Sequence, residues 1–497
     1  MTIDFGSHGF DYTQSLCGAI EAYTEQAVRR RRHAFRYRGI QLRYAIERQL
    51  YIQGINSPAL FERYLEGTGK TLPSLHALGT DPLESDIAAL FGSPAPPSRT
   101  REPKRHSNVY LMLRRAYAWL RSQARRPHAT SIPRLCGDIL IHIGNAKFAS
   151  YLLPVTEKLG KDRYSYLTCE NPALASILEN AGHPVTKCPG AAISSHSIFS
   201  SPALSPFVQL MHETDQILTV LKALRPKTVL VVEGNAPKDA ITAEVCRLLG
   251  IPCFCIQQGW SPYVHSGFRN MHYTEMLVWG SRFAELLAPF NPQQRFRVTG
   301  SHILQRRTTE AQDKKRTSRR MFSFFLQAPC ALLGVQAFDD FVDLIEKTAI
   351  KHPSIQFVVR EHPGYRISDS TRMTLSSRKN IRFSIPAEEG LAKLIDHSEL
   401  VISVFSTVLL EALALNVVPL ICSIGSMTRY CPDLASMNAA MEVYSATEAE
   451  LLIDQLIAAP EKIDIIRNSL PTVAATFFKN DDATQEIVDV LLAHTVN

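Results

Sequence analysis

Many of the signatures that would fix a chemistry at a glance are missing from this sequence. Nowhere in its 497 residues is there a Gly-x-x-x-x-Gly-Lys loop or a Gly-x-Gly-x-x-Gly turn. Readings centred on ATP or NAD therefore lose their main support. No Asp-x-Asp occurs, so a common carboxylate pair for holding a metal-bound nucleotide is lacking. The ten cysteines are scattered without a Cys-x-x-Cys. Cys253 and Cys255 would share a strand face, but no His or Cys nearby completes a zinc set. Free, mostly buried thiols in a reducing compartment are expected, and no metal or other cofactor. No apolar run approaches the roughly 18 to 20 residues needed to span a bilayer. The first residues show no basic-then-apolar leader pattern. A cytoplasmic protein is expected.

The composition is that of a globular chain, 45% hydrophobic and 20% charged. At about 100–200 residues per domain, the length implies two to four domains. The net charge of +7 is unevenly placed. Arg29 to Arg32, Arg36, Arg38, Arg43 and Arg48 crowd one early region, and a second basic cluster runs from Arg101 to Arg134. Such clustering fits either a solvated helix surface or contact with an anionic membrane face or polymer. No nucleic-acid-binding motif accompanies it, so nucleic acid is not an expected partner.

Residues 1–130 read as a basic helical region, with apolar positions at helical spacing over Ile40–Ile46 and Leu60–Leu65. The Pro- and Ser-rich stretch Ser93–Thr100 reads as a linker, and Val109–Ala124 as a further helix. From Asp138 short apolar runs alternate with amphipathic ones. Strands are expected at Ile139–Ile143, Tyr164–Thr168, Thr228–Val232, Pro252–Ile256, Met276–Trp279 and Phe296–Thr299. This alternation describes a parallel sheet with helices on both faces. A polar, basic stretch from Gln305 to Arg320 separates a second such unit, with strands at Ala331–Val335, Ile355–Val359, Leu400–Ser403 and Val417–Cys422. The expected units are 131–304 and 321–497.

In open parallel sheets ligands sit beyond the carboxyl ends of the strands, which is where the polar residues of this chain collect. Ser406 and Thr407 stand where a helix should begin, so hydroxyls and unpaired amides face outward with the positive end of the helix dipole. Arg360 and His362, just past a neighbouring strand, are placed to add charge-assisted donors. Each pair taken alone also reads as an ordinary helix cap or a turn. In the first unit Glu233 ends a strand and is followed by Gly234, which suits a general base approached closely by substrate. Gln257, Gln258, Gly259 and Trp260 end the next strand, and His265 and Arg269 continue its loop. Trp260 suits either stacking on a ligand or plugging the interface between units. Gly144, Asn145 and Lys147, at the first strand-to-helix turn, are candidate contacts to an acceptor or a phosphate.

Together, Arg360-x-His362-Pro363, Ser403-x-x-Ser406-Thr407 and Glu411-Ala412-Leu413 resemble the C-terminal domain of GT-B glycosyltransferases of bacterial surface polysaccharide synthesis. The likeness is to enzymes using CMP-activated sialic acid or Kdo, and it runs from about Asp138 to Ser423. It implies a GT-B-like α/β fold: two Rossmann-like domains facing across a cleft, here with a helical N-terminal extension. It implies that His362 binds the donor phosphate and that Ser406 and Thr407 hold its oxygens, with Pro363, Ser403 and Glu411 in the same motifs. The acidic-acidic-Gly motif of those families would be Val232-Glu233-Gly234, which keeps only the second acid. The expected activity is metal-independent transfer from a nucleotide sugar to a glycan or glycolipid, at the inner face of the cell membrane. Glu233 would be the base, with Gln258 and His265 as candidate catalytic partners. The rival readings are a UDP-sugar transferase, a UDP-N-acetylhexosamine 2-epimerase, and a non-catalytic anionic-polymer or membrane binder on a degenerate form of the fold.

Overall fold

The computed structural model describes residues 5–30, 32–66, 137–168, 171–187, 207–305, 320–427, 429–479 and 481–495. The expected linker 93–100, the helix 109–124 and the second basic cluster lie outside these residues.

Two all-parallel sheets carry the molecule. The first holds β3 (Ile139–His142), β4 (Tyr164–Thr168), β5 (Val185–Lys187), β6 (Thr228–Val232), β7 (Cys253–Ile256), β8 (Glu275–Val278) and β9 (Phe296–Val298). Its order is β5-β4-β3-β6-β7-β8-β9. The second holds β10 (Met321–Phe325), β11 (Gln356–Arg360), β12 (Ile381–Phe383), β13 (Leu400–Ser403), β14 (Val418–Cys422) and β15 (Met441–Val443), in the order β12-β11-β10-β13-β14-β15. Both run outward from their first strand and then reverse, which is the doubly wound Rossmann order. β3, β4, β6, β7, β10, β13 and β14 are buried at every residue. Strands covered by helices on both faces must be apolar on both, which explains continuous runs rather than alternation.

Three features depart from the sequence reading. The first strand of the second unit is Met321–Phe325, not Ala331–Val335. The Phe-rich run fills the sheet centre, while Cys330–Gly334 closes a turn through Gly334 N–H to Cys330 O at 2.9 Å. That turn leads into the helix Val335–Lys351. Secondly, Ile40–Gln41 pairs with Arg36–Tyr37 as an antiparallel hairpin, β1 and β2. Arg38 and Gly39 both take positive φ at the turn (49° and 83°), the conformation that a two-residue hairpin demands. Helix begins only at Arg43. Thirdly, the helix Ala483–Leu492 crosses back to the first unit. Thr228 Oγ1 donates to Leu491 O at 3.4 Å, and Ile487 and Leu491 share a core with Ile139 and Leu230.

The described N-terminal helices, Gly9–Arg30, Arg43–Gly54 and Pro58–Glu66, pack against both units. Tyr12, Leu16, Ile46 and Leu50 join the large core that also contains Val231, Phe324 and Leu420. Their arginines are partly consumed inside the fold. Arg43 pairs with Glu47 at 2.7 Å, and Arg38 with Asp215 at 2.5 Å. Arg48 is only 1% exposed. No helix among the described residues is long and apolar enough to cross a membrane.

Because the C-terminal crossover buries Leu491 completely, Leu491→Ala should cost about 2–5 kcal/mol, read as a lower urea midpoint at unchanged slope. A cost below about 0.5 kcal/mol would mean that the crossover adds little.

Candidate active site

The switch points of the two sheets, β3/β6 and β10/β13, place four strand-end loops at one cleft. Glu233 directly follows β6. Its φ of +68° is left-handed, an uncommon conformation for a residue with a β-carbon and one that concentrates at functional sites. Gly234 follows at φ +76°, where a Cβ would come within 2.5 Å of Cys255 Sγ and 3.0 Å of the Tyr273 hydroxyl. The turn is pinned by Ala236 N–H donating to buried Asp239 Oδ2 at 3.1 Å. Burial raises the Glu233 carboxyl above its ordinary pKa; Lys147 opposes this, Asp239 reinforces it, and a hydrogen bond from Asn235 lowers it.

Lys147 follows β3, the neighbour of β6 in the sheet. It sits on the first turn of the helix Ala146–Leu159, capped by Asn145, whose Oδ1 accepts from Lys147 N at 3.0 Å. Its ammonium also acts on His362 of the other unit, whose pKa is lowered first by burial and then by Lys147. Lys147 is therefore within electrostatic range of both Glu233 and His362. A second ammonium, Lys238, stands against Gly144, where a Cβ would be 1.6 Å from Nζ. A side chain at position 144 would push the flexible tip of Lys238 aside. His362 Nδ1 accepts from Gly364 N–H at 3.1 Å, so the neutral ring carries its proton on Nε2.

Ser406 caps the helix Thr407–Ala414, its Oγ accepting from Val408 N at 3.3 Å. The Thr407 hydroxyl is spent across the cleft, accepting from Trp260 N–H at 3.1 Å and donating to Trp260 O at 3.4 Å. Gly259 lies so close that a Cβ would be 3.3 Å from Thr407 Oγ1. The Trp260 indole donates to Cys431 O at 2.8 Å and packs on Phe283 at 5.2 Å. Trp260 thus plugs the interface between the units.

Other expected contacts are spent on holding the loops. Arg360 ends β11 and donates to Ser384 Oγ at 2.8 Å and Glu389 O at 3.1 Å, on the β12 side. Ser403 is fully buried and donates to Phe325 O at 2.8 Å. Gln257 is buried, accepting from Trp279 N at 3.1 Å through its side chain and from Tyr151 OH at 2.6 Å through its carbonyl. Arg269 donates to Val264 O at 2.8 Å and pairs with Glu21 at 3.3 Å. These four brace the site and do not face a ligand through their functional groups. Gln258 is half-buried, Pro363 is exposed on the His362 turn, and Glu411 lies on the second turn of the Thr407 helix.

The sequence reading missed the origin of the support under the His265 loop. Tyr51 stacks on His265 with ring centroids 5.0 Å apart and planes 5° from parallel, and its hydroxyl meets that of Tyr263. Arg48 Nε donates to Gly267 O at 3.2 Å, and Asn270 donates to Glu47 at 3.2 Å. His265 Nδ1 accepts from Gly267 N–H at 3.0 Å. Burial, with Arg48 and Arg269 nearby, lowers its pKa to about 3, so it stays neutral at physiological pH. Gly267 packs on Asn235, 2.9 Å from a would-be Cβ, which sets this loop beside the Glu233 turn. Continuation of the apolar face of residues 43–54 through Arg48 to Tyr51 was the one available signal. Among the described residues no group of three His, Cys, Asp or Glu side chains could hold a metal.

No family model matches the chain, and no curated protein matches it in sequence. Solved structures do resemble it. A UDP-N-acetylglucosamine 2-epimerase from Neisseria meningitidis, bound to UDP-N-acetylglucosamine, aligns at TM-score 0.51 and 16% identity, covering 71% of this chain and 99% of that one. The S. aureus MnaA–UDP structure aligns at 0.51 and 10%, covering 73% and 98%. One described as a putative UDP-N-acetylglucosamine 2-epimerase from Listeria monocytogenes aligns at 0.50 and 14%, covering 72% and 96%. At these identities the likeness defines the fold, a GT-B-type pair of Rossmann-like units.

Removing the ammonium that favours the Glu233 carboxylate should raise that carboxyl's pKa further. In Lys147→Met the carboxylate should form at higher pH than in wild type, seen as an upward shift of its ¹³C NMR titration. An unchanged midpoint would separate the two groups.

Proposed function

We propose that the protein is an enzyme acting on a nucleotide-activated sugar, holding the nucleotide phosphates between His362 and the Ser406–Thr407 helix tip while Glu233 takes a proton. The observation that carries this reading is that the loops after β7 and β13 meet, through Trp260 and Thr407 of the two units, at strand carboxyl ends that also carry Glu233, His362 and Ser406, with Lys147 within electrostatic range of Glu233 and His362. As the bond from the anomeric carbon to phosphate oxygen breaks, negative charge grows on the departing phosphate. The helix dipole, His362 Nε2–H and Lys147 would meet that charge where it develops.

The similar structures with UDP-N-acetylglucosamine or UDP bound make a UDP-linked N-acetylhexosamine the first donor to try, ahead of CMP-Kdo or CMP-sialic acid. Their fold supports 2-epimerisation as the first reading: Glu233 would remove the C2 proton as UDP leaves C1, giving a 1,2-unsaturated sugar, and protonation of C2 on the other face with re-addition of the retained UDP at C1 would give the epimer. Transfer to an acceptor hydroxyl, with Glu233 as its base, is the second reading. It suits the loop beside Glu233, where Gln257, Gln258, Gly259 and Trp260 offer amide and indole groups to an acceptor.

Incubation with UDP-N-acetylglucosamine in D₂O, without acceptor, separates the two. Epimerisation gives a new UDP-sugar with deuterium at C2, and a transferase gives only slow hydrolysis. On either route Glu233→Gln should lower turnover by about a hundredfold or more and leave the UDP-induced rise in Tm intact. If no nucleotide raises Tm, the reading fails.

A further inference from the structure

Where the N-terminal helices meet both units there is a cavity of about 400 Å³. Its walls come from four parts of the chain: Thr13 of the first N-terminal helix, Tyr51 and Ile55 from the second and its end, Tyr263 from the loop after β7, and Cys330 and Leu332 from the loop after β10. The last two loops leave the carboxyl ends of their strands, so the cavity opens at the same side of the sheets as the cleft. It lies next to the His265 loop: Tyr51, in its wall, stacks on His265. The N-terminal helices close it from outside. Phe10 N–H donates to Ser426 Oγ at 2.9 Å, and Ser426 Oγ donates to Ala331 O at 2.9 Å.

The chemistry of the walls selects the guest. Among the described residues no Asp, Glu, Lys, Arg or His lines the cavity, so these walls have nothing to pair with a phosphate, a carboxylate or a charged sugar. Its polar groups already bond within the protein: the Tyr51 and Tyr263 hydroxyls to each other, Thr13 to Phe10 O and Asn56 to Ile52 O. A polar guest would lose its water and gain few partners, whereas a hydrocarbon guest gains by leaving water. The volume falls within the roughly 300–1,000 Å³ range of small-molecule sites.

We propose that this cavity binds the hydrocarbon group of a glycolipid acceptor, with the sugar end of that acceptor directed into the cleft. The N-terminal helices then form part of the substrate site. The proposal rests on the transfer form of the function proposed above.

The test uses octyl and methyl glycosides of N-acetylglucosamine, below the micelle concentration, titrated calorimetrically into the full chain with UDP present. The octyl glycoside should bind at least tenfold tighter than the methyl one. That advantage should vanish in Ile55→Trp, which fills the cavity, and in Cys330→Asp, which charges its wall, while UDP binds both variants as it binds wild type. Equal affinity for the two glycosides in wild type, or an undiminished octyl preference in both variants, would overturn the proposal. If the octyl preference behaves as expected but UDP does not bind wild type, the pocket stands and the nucleotide-sugar reading fails.

Discussion

One amide, Trp260 N–H, reaches from the first sheet's loop to the hydroxyl of Thr407 on the helix that opens the second unit's ligand face. The geometry of the cleft follows from that contact and from the indole bond to Cys431 O. Two doubly wound sheets could meet at many angles, but this contact brings their switch points to one gap. It also fixes which groups are left for a ligand. Thr407 serves the interface, so in the proposed reading the helix tip, Ser406, His362 and Lys147 are the groups that would meet phosphate. Gly259 is needed because the backbone has to approach that hydroxyl closely.

The N-terminal helices change what the basic character of the early sequence means. Arg48, almost completely buried, donates to a backbone carbonyl of the His265 loop, and Arg269 of that loop returns to Glu21. Burying a guanidinium is costly unless its donors are used, so this arrangement holds the loop in one place. The neutral state of His265 follows from the same burial. Charge that looks like a surface for anionic partners is, at Arg43 and Arg48, part of the internal scaffold.

The parallel strands were legible because each is a short β-branched or aromatic run ending in Gly, Ser or a charged residue, as at Thr228–Val232 and Leu400–Ser403. Their carboxyl ends told on which side of the sheets Glu233, His362 and Ser406 would lie. The strand Met321–Phe325 was passed over because it adjoins a basic stretch, whereas Ala331–Val335 carries the same apolar pattern in a turn. The edge strands Ile381–Phe383 and Met441–Val443 are three residues each, too short to show a period. Side-chain direction was the larger gap. Arg360 and Ser403 lie where a phosphate ligand would want them in sequence, yet they bond sideways and downward into the sheet. Nothing in a one-dimensional pattern separates a strand-end residue facing the cleft from one facing its neighbour strand. The Tyr51–His265 stack joins residues more than two hundred positions apart and is likewise invisible without the fold.

The central claim is that a nucleotide diphosphate lies between the second unit's helix tip and the lysine of the first. A crystal structure of the protein with UDP tests it most directly. The account predicts phosphate oxygens within hydrogen-bond distance of Ser406 and His362 Nε2, with the Glu233 carboxylate facing them across the gap. UDP bound elsewhere, with that gap left to solvent, would contradict it.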